Sequence, residues 1–580
     1  MEMPPLPPDS DPAVMDAALA DLQARATEWA RLPLDRKIEL LERLTPRIAA
    51  VAGRWVTAAS RAKGLPLGSP LRGEEWASGP WATANYIAPL AETLRHVRDG
   101  TLAEHVAGRV RQRPDGQTVV RVVPDGLYDR LLFSGIEVDV WQQPGVTPDS
   151  LVDTMAGFYR RSMPAGRVAL VLGAGNIAAI PPLDVLYKLY AEGQVVLLKM
   201  NPVNSYLGPI LEEVFAEFVA AGYVRFAYGG AEQGAYLTQH DAVDEIHMTG
   251  SAQTHDAIVY GTGPDGARRK EADEPVLDKP MTSELGGISP FVVVPGDWSE
   301  PDLDFQAENV VSTKMHNGGF NCIASQVLVL PQEWPQRDAF LTAVRRAFAA
   351  LPDRPAYYPG ASDRLATLAD AYPDAQPVGP TGARTLVTGV PAEAGQPAFE
   401  TEVFGPALTV TSLPGGGPDE DPAVWLRRAV AWCNETLAGT LGITLAVHPR
   451  TRRELGDRFE DLLSDLRYGT IGVNAWSGAG FLLAQASWGA YPGHARDDIQ
   501  SGVGVVHNSY LFDRPQKTVV YGPFASFPRS LLLGETHTAP KPLWFVTNDT
   551  ADVTARRVME FTADPSPLRL PAIVASALRG

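Results

Sequence analysis

Residues 168–202 read VALVLGAGNIAAIPPLDVLYKLYAEGQVVLLKMNP and decide the fold class. The apolar run Val168–Leu172 predicts a short buried strand, Pro182–Ala191 predicts a helix, and Val195–Lys199 predicts a second buried strand. Two apolar strands joined through a helix form a parallel unit with a right-handed crossover. This stretch therefore indicates an α/β protein with a Rossmann-like unit.

The alternation of strands and helices continues on both sides of a charged segment. Gly208–Ala221 predicts a helix, and Val224–Tyr228 and Glu245–Met248 predict strands. The segment 261–280 breaks the pattern with Arg, Lys and acidic residues, so we expect a solvated surface loop there. A second α/β segment follows and contains Gly- and Pro-rich stretches at 359–400, which predict loops.

Length and composition set the outer limits. The chain has 580 residues, 45% of them hydrophobic, so more than one core is expected. The formal net charge of −18 argues against binding to nucleic acid phosphates. The chain has only two cysteines, too few for a disulfide framework, which predicts a location in the reducing cytoplasm. We find no leader peptide pattern, no apolar run of membrane-spanning length and no metal-ligand motif.

These patterns divide the chain into five predicted parts. They are a helical part (1–117), two strands (118–146), a Rossmann-like unit (147–283), a second α/β unit (284–512), and a final strand with a C-terminal extension (513–580).

A glycine pattern lies between the first strand and the first helix of the Rossmann-like unit. Gly173-Ala174-Gly175 with Ala178 fits a variant of the dinucleotide fingerprint. The acid expected about 20 residues later is absent, because the next strand ends at Lys199 and is followed by Pro202. A reductase that binds its cofactor on this loop stays a weaker alternative.

One cysteine carries the chemical hypothesis. Cys322 lies in the stretch 317–325, which reads NGGFNCIAS, 38 residues after Glu284. A thiol is a strong nucleophile near neutral pH, and a nearby carboxylate can activate water that releases an acyl product. The alternative is a buried structural cysteine beside a carboxylate in an ion pair.

From Val168 to Phe524 the motifs resemble the aldehyde dehydrogenase superfamily in order and approximate spacing. The resemblance implies a Rossmann-like cofactor unit, an α/β catalytic unit and bridging strands. It also implies oxidation of an aldehyde to a carboxylic acid with NAD or NADP, through a thiohemiacetal and a thioester on Cys322. Glu284 would then act as general base in hydrolysis, and the Asn176 amide would help to bind the oxyanion.

The same resemblance assigns cofactor-binding roles. Lys199 would contact the adenosine ribose, Glu402 the nicotinamide ribose, and Phe404 would pack by the ring. Thr249, Gly250 and Ser251 would lie at a helix start beside the pyrophosphate, and Gly286 belongs to the general-base motif. Single residues also have a purely structural explanation, since Asn176 or Thr249 could each cap a helix without binding a ligand.

The chain departs from the family pattern at several positions. Pro202 replaces an acid that holds the ribose hydroxyls, so NADP is expected to be tolerated or preferred. Trp488-Gly-Ala490 replaces a Phe-Gly-Gly loop. Cys322-Ile-Ala324 also resembles the CoA-acylating branch, although the presence of Glu284 favours hydrolysis.

A non-catalytic scaffold on the same fold is the alternative from another class. The resemblance further implies a small-molecule aldehyde substrate and a homodimer or homotetramer, in which the strands of 118–141 and Lys517–Tyr521 pair with a neighbouring subunit. Trp476, Phe481 and Trp488 suggest an apolar or aromatic substrate.

Overall fold

A computed structural model describes residues 6–580. The strands of this part of the chain are β1 Val110–Gln112, β2 Thr118–Val123, β3 Glu137–Gln142, β4 Val168–Leu172, β5 Val195–Lys199, β6 Val224–Ala227, β7 Glu245–Gly250, β8 Met281–Leu285, β9 Ser289–Val293, β10 Ser325–Pro331, β11 Gln376–Val378, β12 Arg384–Val390, β13 Ala407–Leu413, β14 Gly442–Ala446, β15 Thr470–Val473, β16 Gly502–Val503 and β17 Pro515–Tyr521.

Helices surround these strands and precede them at the N-terminus. They are α1 Pro12–Ala30, α2 Leu34–Glu42, α3 Leu44–Ala62, α4 Arg72–Trp76, α5 Ala82–Asp99, α6 Leu102–Val106, α7 Leu127–Leu132, α8 Ile180–Tyr190, α9 Gly208–Val214, α10 Ala216–Ala221, α11 Ala231–Gln239, α12 Ala252–Val259, α13 Gly263–Glu271, α14 Glu300–Met315, α15 Arg337–Ala350, α16 Ala361–Ala371, α17 Pro397–Glu400, α18 Pro422–Thr436, α19 Pro449–Leu455, α20 Asp457–Asp465, α21 Ala479–Leu482, α22 Arg529–Leu532, α23 Ala551–Ala563 and α24 Leu570–Ala577. No helix within residues 6–580 combines the length and the apolarity needed to cross a bilayer.

The strands form two sheets that meet at the candidate site. The smaller sheet has the order β16-β8-β7-β4-β5-β6, and its neighbours from β8 to β6 are parallel. The larger sheet has the order β1-β2-β3-β17-β15-β14-β9-β10-β13-β12-β11. Successive residues of β9 enter cores on opposite faces of it, as the period of a strand requires: Val292 on one face, Phe291 and Val293 on the other.

The arm formed by β1, β2, β3 and β17 pairs within its own chain. Strand β17 is parallel to β15 of the catalytic unit and antiparallel to β3. Both edges of β17 therefore have partners within the chain, so the edge of β15 that β17 occupies is not free for a second chain. Pairing of the arm with a neighbouring subunit stays a prediction.

Two predicted loops contain regular structure. The charged segment 261–280 includes helix α13, whose Lys270 forms an ion pair with Asp256 at 2.7 Å. The stretch 359–400 contains α16, β11, β12 and α17. Hydrophobic periodicity did not predict these elements, because the helix of 261–280 is solvated and charged and the strands of 359–400 have glycines near their ends.

The C-terminal extension docks on the N-terminal helices. Trp76 Nε1 donates a hydrogen bond to Asp552 Oδ1 at 2.9 Å, and Trp81 Nε1 donates one to Thr562 Oγ1 at 3.1 Å. The extension, which the sequence analysis left without a clear structure, therefore forms the three helices α22, α23 and α24, and α23 packs against the start of the chain.

The arm offers a test of its buried charge. Asp139 on β3 is fully buried and accepts hydrogen bonds from Arg121 and, at 3.2 Å, from Arg111. We expect Asp139→Asn to lower the free energy of unfolding by about 2–3 kcal/mol, because a buried pair is broken and charges lose their partner. Urea denaturation measures this change. The matched control is Glu137→Gln, an exposed partner of the same Arg121, which should cost less than about 1 kcal/mol. Equal effects of the two substitutions would contradict the assignment.

Candidate active site

Cys322 and Glu284 meet where the two sheets come together. Cys322 lies between α14 and β10 of the larger sheet, and Glu284 lies on β8 of the smaller one. The Cys322 thiol lies close enough to the Glu284 carboxylate for each group to shift the pKa of the other. Trp488 Nε1 donates a hydrogen bond to Glu284 Oε1 at 3.2 Å. The two residues that the sequence analysis joined in one hypothesis are therefore direct neighbours.

The environment of the pair changes both acidities. Burial raises the pKa of Glu284 to about 7, and the hydrogen bonds from Cys322 and Trp488 partly oppose this rise. Burial, followed by the Glu284 charge, raises the pKa of the Cys322 thiol well above its usual range. The thiol is thus protonated at neutral pH in the free protein, next to a carboxylate that titrates there and can exchange a proton.

Asn176 lies against the loop that carries Cys322. Its side-chain Nδ2 donates a hydrogen bond to the Phe320 backbone carbonyl at 3.0 Å. The Asn176 backbone carbonyl accepts one from Asn317 Nδ2 at 3.1 Å. Helix α8 begins at Ile180 with Ala179 at its N-cap, so Asn176 does not cap it and that alternative is wrong. One amide N–H of Asn176 remains for a ligand, because the side chain has two.

The loop before Cys322 has a tightly constrained backbone. Asn317 has φ +54°, and Gly318 and Gly319 have φ +69° and +86°. A Cβ on Gly319 would lie 2.7 Å from the Gly405 carbonyl oxygen, so this approach needs glycine. Glu74 of α4 accepts a hydrogen bond from the Asn317 backbone N–H at 3.1 Å, so an N-terminal helix helps to hold the loop.

A cavity of about 1030 Å³ extends from this pair along the smaller sheet. Its lining includes the ten residues to which the sequence analysis gave a catalytic or cofactor-binding role, namely Cys322, Glu284, Asn176, Lys199, Thr249, Gly250, Ser251, Gly286, Glu402 and Phe404. A cavity of this size is at the upper end of the range for ligand sites. The structure therefore brings the ten predicted residues together in one cavity.

The Thr249–Ser251 turn leads into helix α12. Ser251 is its N-cap and accepts from the Thr254 backbone N–H at 3.2 Å, which places free backbone N–H groups at the cavity. The Thr249 hydroxyl donates to Asp184 Oδ2 at 3.1 Å, so this side chain holds the turn and does not point freely into the cavity. Asp184 had not been singled out from the sequence.

Glu402 is half-buried, but its Oε1 is shielded from solvent. This oxygen has no hydrogen-bond partner among the described residues, and desolvation raises the pKa of the carboxyl to about 8, an effect that Lys314 and Arg364 partly oppose. A Cβ on Gly286 would lie 2.1 Å from Glu402 Oε2, so only glycine permits this arrangement. An unpaired buried acceptor is costly and fits a ligand hydroxyl at this point.

Phe404 adopts a left-handed backbone, with φ +44°. Arg364 fixes this segment by donating from Nε to the Val403 carbonyl at 2.7 Å and from Nη2 to the Phe404 carbonyl at 3.1 Å. The sequence analysis missed Arg364 because it lies in a stretch predicted as loop. The buried Lys314 was missed as well, and its only signal was a lysine within a helix that is otherwise buried.

The glycines of the fingerprint-like loop serve local packing. A Cβ on Gly175 would lie 2.7 Å from Asn201 Oδ1, and one on Gly173 would lie 3.3 Å from Pro181. The loop borders the same cavity. The glycines are thus required by contacts within the protein, which weakens their value as a sign of a pyrophosphate on this loop.

The fold and the site define the class: a two-sheet α/β protein with a thiol and a carboxylate at one end of a long cavity. Residues 148–356 match the model of the Aldehyde dehydrogenase family. The superfamily resemblance seen in the sequence is confirmed over these residues.

Curated relatives agree with this assignment at moderate identity. An N-succinylglutamate 5-semialdehyde dehydrogenase from Novosphingobium aromaticivorans is 30% identical over 171 residues, which are 29% of this chain and 33% of that protein. A coniferyl aldehyde dehydrogenase from Pseudomonas sp. strain HR199 is 26% identical over 339 residues, or 54% and 61% of the two chains. These alignments span less than two thirds of the length of either relative.

Solved structures show the same fold. An NADP-dependent glyceraldehyde-3-phosphate dehydrogenase from Bacillus halodurans, complexed with NADP, matches with a TM-score of 0.56 at 17% identity and covers 89% of this chain and 92% of that one. An aldehyde dehydrogenase from Pseudomonas syringae, complexed with NAD+ and octanal, matches with a TM-score of 0.55 at 16% identity over 88% and 89%. The predicted fold class is thereby confirmed.

The electrostatics of the pair can be tested without any substrate. The Glu284 carboxylate raises the pKa of Cys322 through its charge and its hydrogen bond. We expect Glu284→Gln to lower that pKa and to speed alkylation of Cys322 by iodoacetamide at pH 7, on the order of 3–10-fold, because the thiolate is the reactive form. Peptide mass spectrometry follows Cys322 separately from the buried Cys433. The control Glu402→Gln, which removes a charge that makes no hydrogen bond to the thiol, should have a smaller effect. A slower reaction in Glu284→Gln would contradict this account.

Proposed function

We propose that this protein oxidises an aldehyde to a carboxylic acid with NAD or NADP, using Cys322 as nucleophile and Glu284 as general base. The observation that carries the proposal is the close approach of the Cys322 thiol and the buried Glu284 carboxylate, both of which line the large cavity. A purely structural cysteine needs neither a titrating carboxylate beside it nor contact with a cavity.

The first step joins Cys322 to the substrate. Sγ attacks the carbonyl carbon as the thiolate, after the thiol has given its proton to solvent water, and the carbonyl oxygen becomes an oxyanion. The free N–H of the Asn176 amide and the Cys322 backbone N–H would donate to this oxygen. Such donors each contribute roughly 10²–10³ in rate in comparable sites.

The cavity fits the proposed cofactor. The unpaired Glu402 Oε1 suits a ribose hydroxyl, the start of α12 suits a pyrophosphate, and Lys199 borders the part expected to take the adenosine ribose. A bound NAD(P)+ supplies the two-electron acceptor that turns the thiohemiacetal into a thioester. Gly286 and Phe404 line the end of the cavity near Cys322, where the reacting ring would lie.

Glu284 then completes the cycle. A water molecule attacks the thioester carbon as Glu284 accepts its proton, the C–S bond breaks, and the thiol and the carboxylic acid are released. A pKa of about 7 suits this role, because the carboxylate is then available as a base at neutral pH. The same carboxylate favours water over CoA as acyl acceptor, which makes the CoA-acylating reaction the second candidate.

The substitutions that test the mechanism separate its two halves. We expect Cys322→Ala to lose at least ~10³-fold in aldehyde oxidation while remaining folded, because the nucleophile is gone. Glu284→Gln should give a rapid burst of reduced cofactor followed by turnover lowered roughly 10²–10⁴-fold, since acylation continues without a base for hydrolysis. Stopped-flow absorbance and intact-mass spectrometry measure the burst and the acyl adduct.

Cys433→Ala is the control and should keep full activity, because Cys433 is buried away from the cavity. In the wild type, deacylation should rise with pH through about 7 as Glu284 ionises. An absent adduct on Cys322 would refute covalent catalysis, and an alkylation rate of Cys322 no faster than that of Cys433 would favour the scaffold alternative. Added CoA that raises turnover would favour the acyl transfer alternative.

The choice between NAD and NADP is proposed to depend on a residue near the N-terminus. The Ser10 backbone N–H donates to the Tyr228 carbonyl at 3.0 Å, and Tyr228 directly follows β6, whose Ala227 pairs with Lys199. Burial lowers the pKa of Lys199 to about 8, and the charge of the neighbouring Asp9 opposes this. Asp9 therefore supplies negative charge close to the place where Pro202 lacks it.

A cofactor comparison tests this role of Asp9. We expect Asp9→Asn to raise the ratio of kcat/KM for NADP to that for NAD about 3–10-fold, because a 2′-phosphate meets less repulsion and more of the Lys199 charge. The control is Asp11→Asn, two residues further on, whose side chain makes no capping hydrogen bond. The idea is wrong if both substitutions leave the ratio unchanged.

We also propose a cytoplasmic location and a homodimer or homotetramer. Two free cysteines support the former. Assembly would use surfaces other than the edge of β15, which the chain occupies itself.

A further inference from the structure

A cluster of large apolar side chains covers the side of Cys322 that faces away from the cofactor cavity. We call it the substrate-side cluster, and it consists of Ile323, Leu441, Trp476, Trp488 and Val506, with Phe481 and Trp544 packed against it. Cys322 packs against this cluster and also lines the cavity, whereas no other member of the cluster lines the cavity. Cys322 therefore stands at the boundary between the two.

This boundary indicates where the group attached to the reacting carbonyl must lie. The cofactor would occupy the cavity on one side of Cys322, so the aldehyde has to approach from the other. Trp488 belongs to the cluster and also donates to Glu284, which ties the aromatic wall to the general base. Flat indole and phenyl faces around a thiol favour an aromatic or other flat apolar group.

Trp544 differs from the other members in its origin. It comes from the C-terminal extension, which lies outside both sheets, whereas the others belong to the catalytic unit or to the loops beside it. It is only partly buried, and its indole Nε1–H is shielded from solvent without a hydrogen-bond partner. A ligand oxygen that accepts a hydrogen bond from this N–H would remove the free-energy cost of leaving a shielded donor unpaired.

The extension is fixed next to the catalytic loop. The Val546 backbone N–H donates to Ser312 Oγ at 3.1 Å, and Thr547 Oγ1 donates to Glu308 Oε2 at 2.8 Å. Both acceptors lie on α14, which leads directly into the loop before Cys322. Phe545 packs on Phe305 of the same helix, with ring centroids 5.1 Å apart. These contacts hold Trp544 at the substrate-side cluster.

We propose that Trp544 is a specificity-determining residue which closes the substrate side of Cys322 and selects aldehydes that carry an aromatic group. The proposal rests on the proposed aldehyde oxidation and names its substrate class. A ring bound against Trp544 gains a stacking contact that a short aliphatic chain lacks. The extension thus contributes one wall of the aldehyde site from outside the family domain.

The test compares a small and an aromatic aldehyde in the full-length protein. We expect Trp544→Ala to lower the ratio of kcat/KM for benzaldehyde to that for propanal about fivefold, because the stacking contact is lost. Trp544→Phe should restore at least half of the lost discrimination on a logarithmic scale. The matched control is Phe545→Ala, which weakens docking of the same segment on α14 without removing a ring from the cluster, and it should change the ratio less than twofold.

A second measurement is independent of turnover. Trp544→Ala should speed alkylation of Cys322 by N-benzyl iodoacetamide at least fivefold, and alkylation by iodoacetamide less than twofold, because only the larger reagent needs the space. Unchanged ratios in both assays would overturn the proposal. An equal fall in Phe545→Ala would assign the effect to docking of the extension and also overturn the role of Trp544. A wild type that oxidises neither aldehyde but shows the alkylation effect would refute the proposed oxidation and leave the wall assignment standing.

Discussion

The close approach of the Cys322 thiol to the Glu284 carboxylate is the interaction on which the rest of the site depends. Each partner comes from a different sheet, so their contact requires both sheets to be in place. A buried carboxylate is stabilised by hydrogen-bond donors. Among the described residues, the Trp488 indole donates to Glu284 and the Cys322 thiol lies beside it. The Glu284 pKa of about 7 follows from this sparse solvation and gives a base that works at neutral pH.

Residues around that contact adopt strained backbone conformations. The backbone before Cys322 passes through left-handed conformations, and Phe404 across the cavity does the same. Such residues persist only where neighbours over-determine them. Here Glu74 holds the loop from the N-terminal helices and Arg364 holds the Phe404 segment. Residues remote in sequence therefore set the geometry of the thiol and of the cavity.

Much of the fold and most of the candidate site were predictable. The apolar runs at β4, β5 and β7 identify the parallel sheet, and the ordered motifs from Asn176 to Phe404 name residues that share one cavity. Helix α13 and the strands within 359–400 were missed, because charge on a solvated helix and glycine near strand ends carry no hydrophobic period. Arg364 lies in the same stretch, so its role was not predicted either.

The sequence by itself determined the alternation of strands and helices and the identity of the reactive pair, since both are written in residue types at local spacings. Only the tertiary structure decided that the arm pairs with β15 of its own chain, that Trp488 donates to Glu284, and that Trp544 and Cys322 pack against the same apolar cluster. These contacts join residues tens to hundreds of positions apart. The free energy of burying apolar surface and satisfying buried polar groups selects among such pairings, and no local pattern records the outcome.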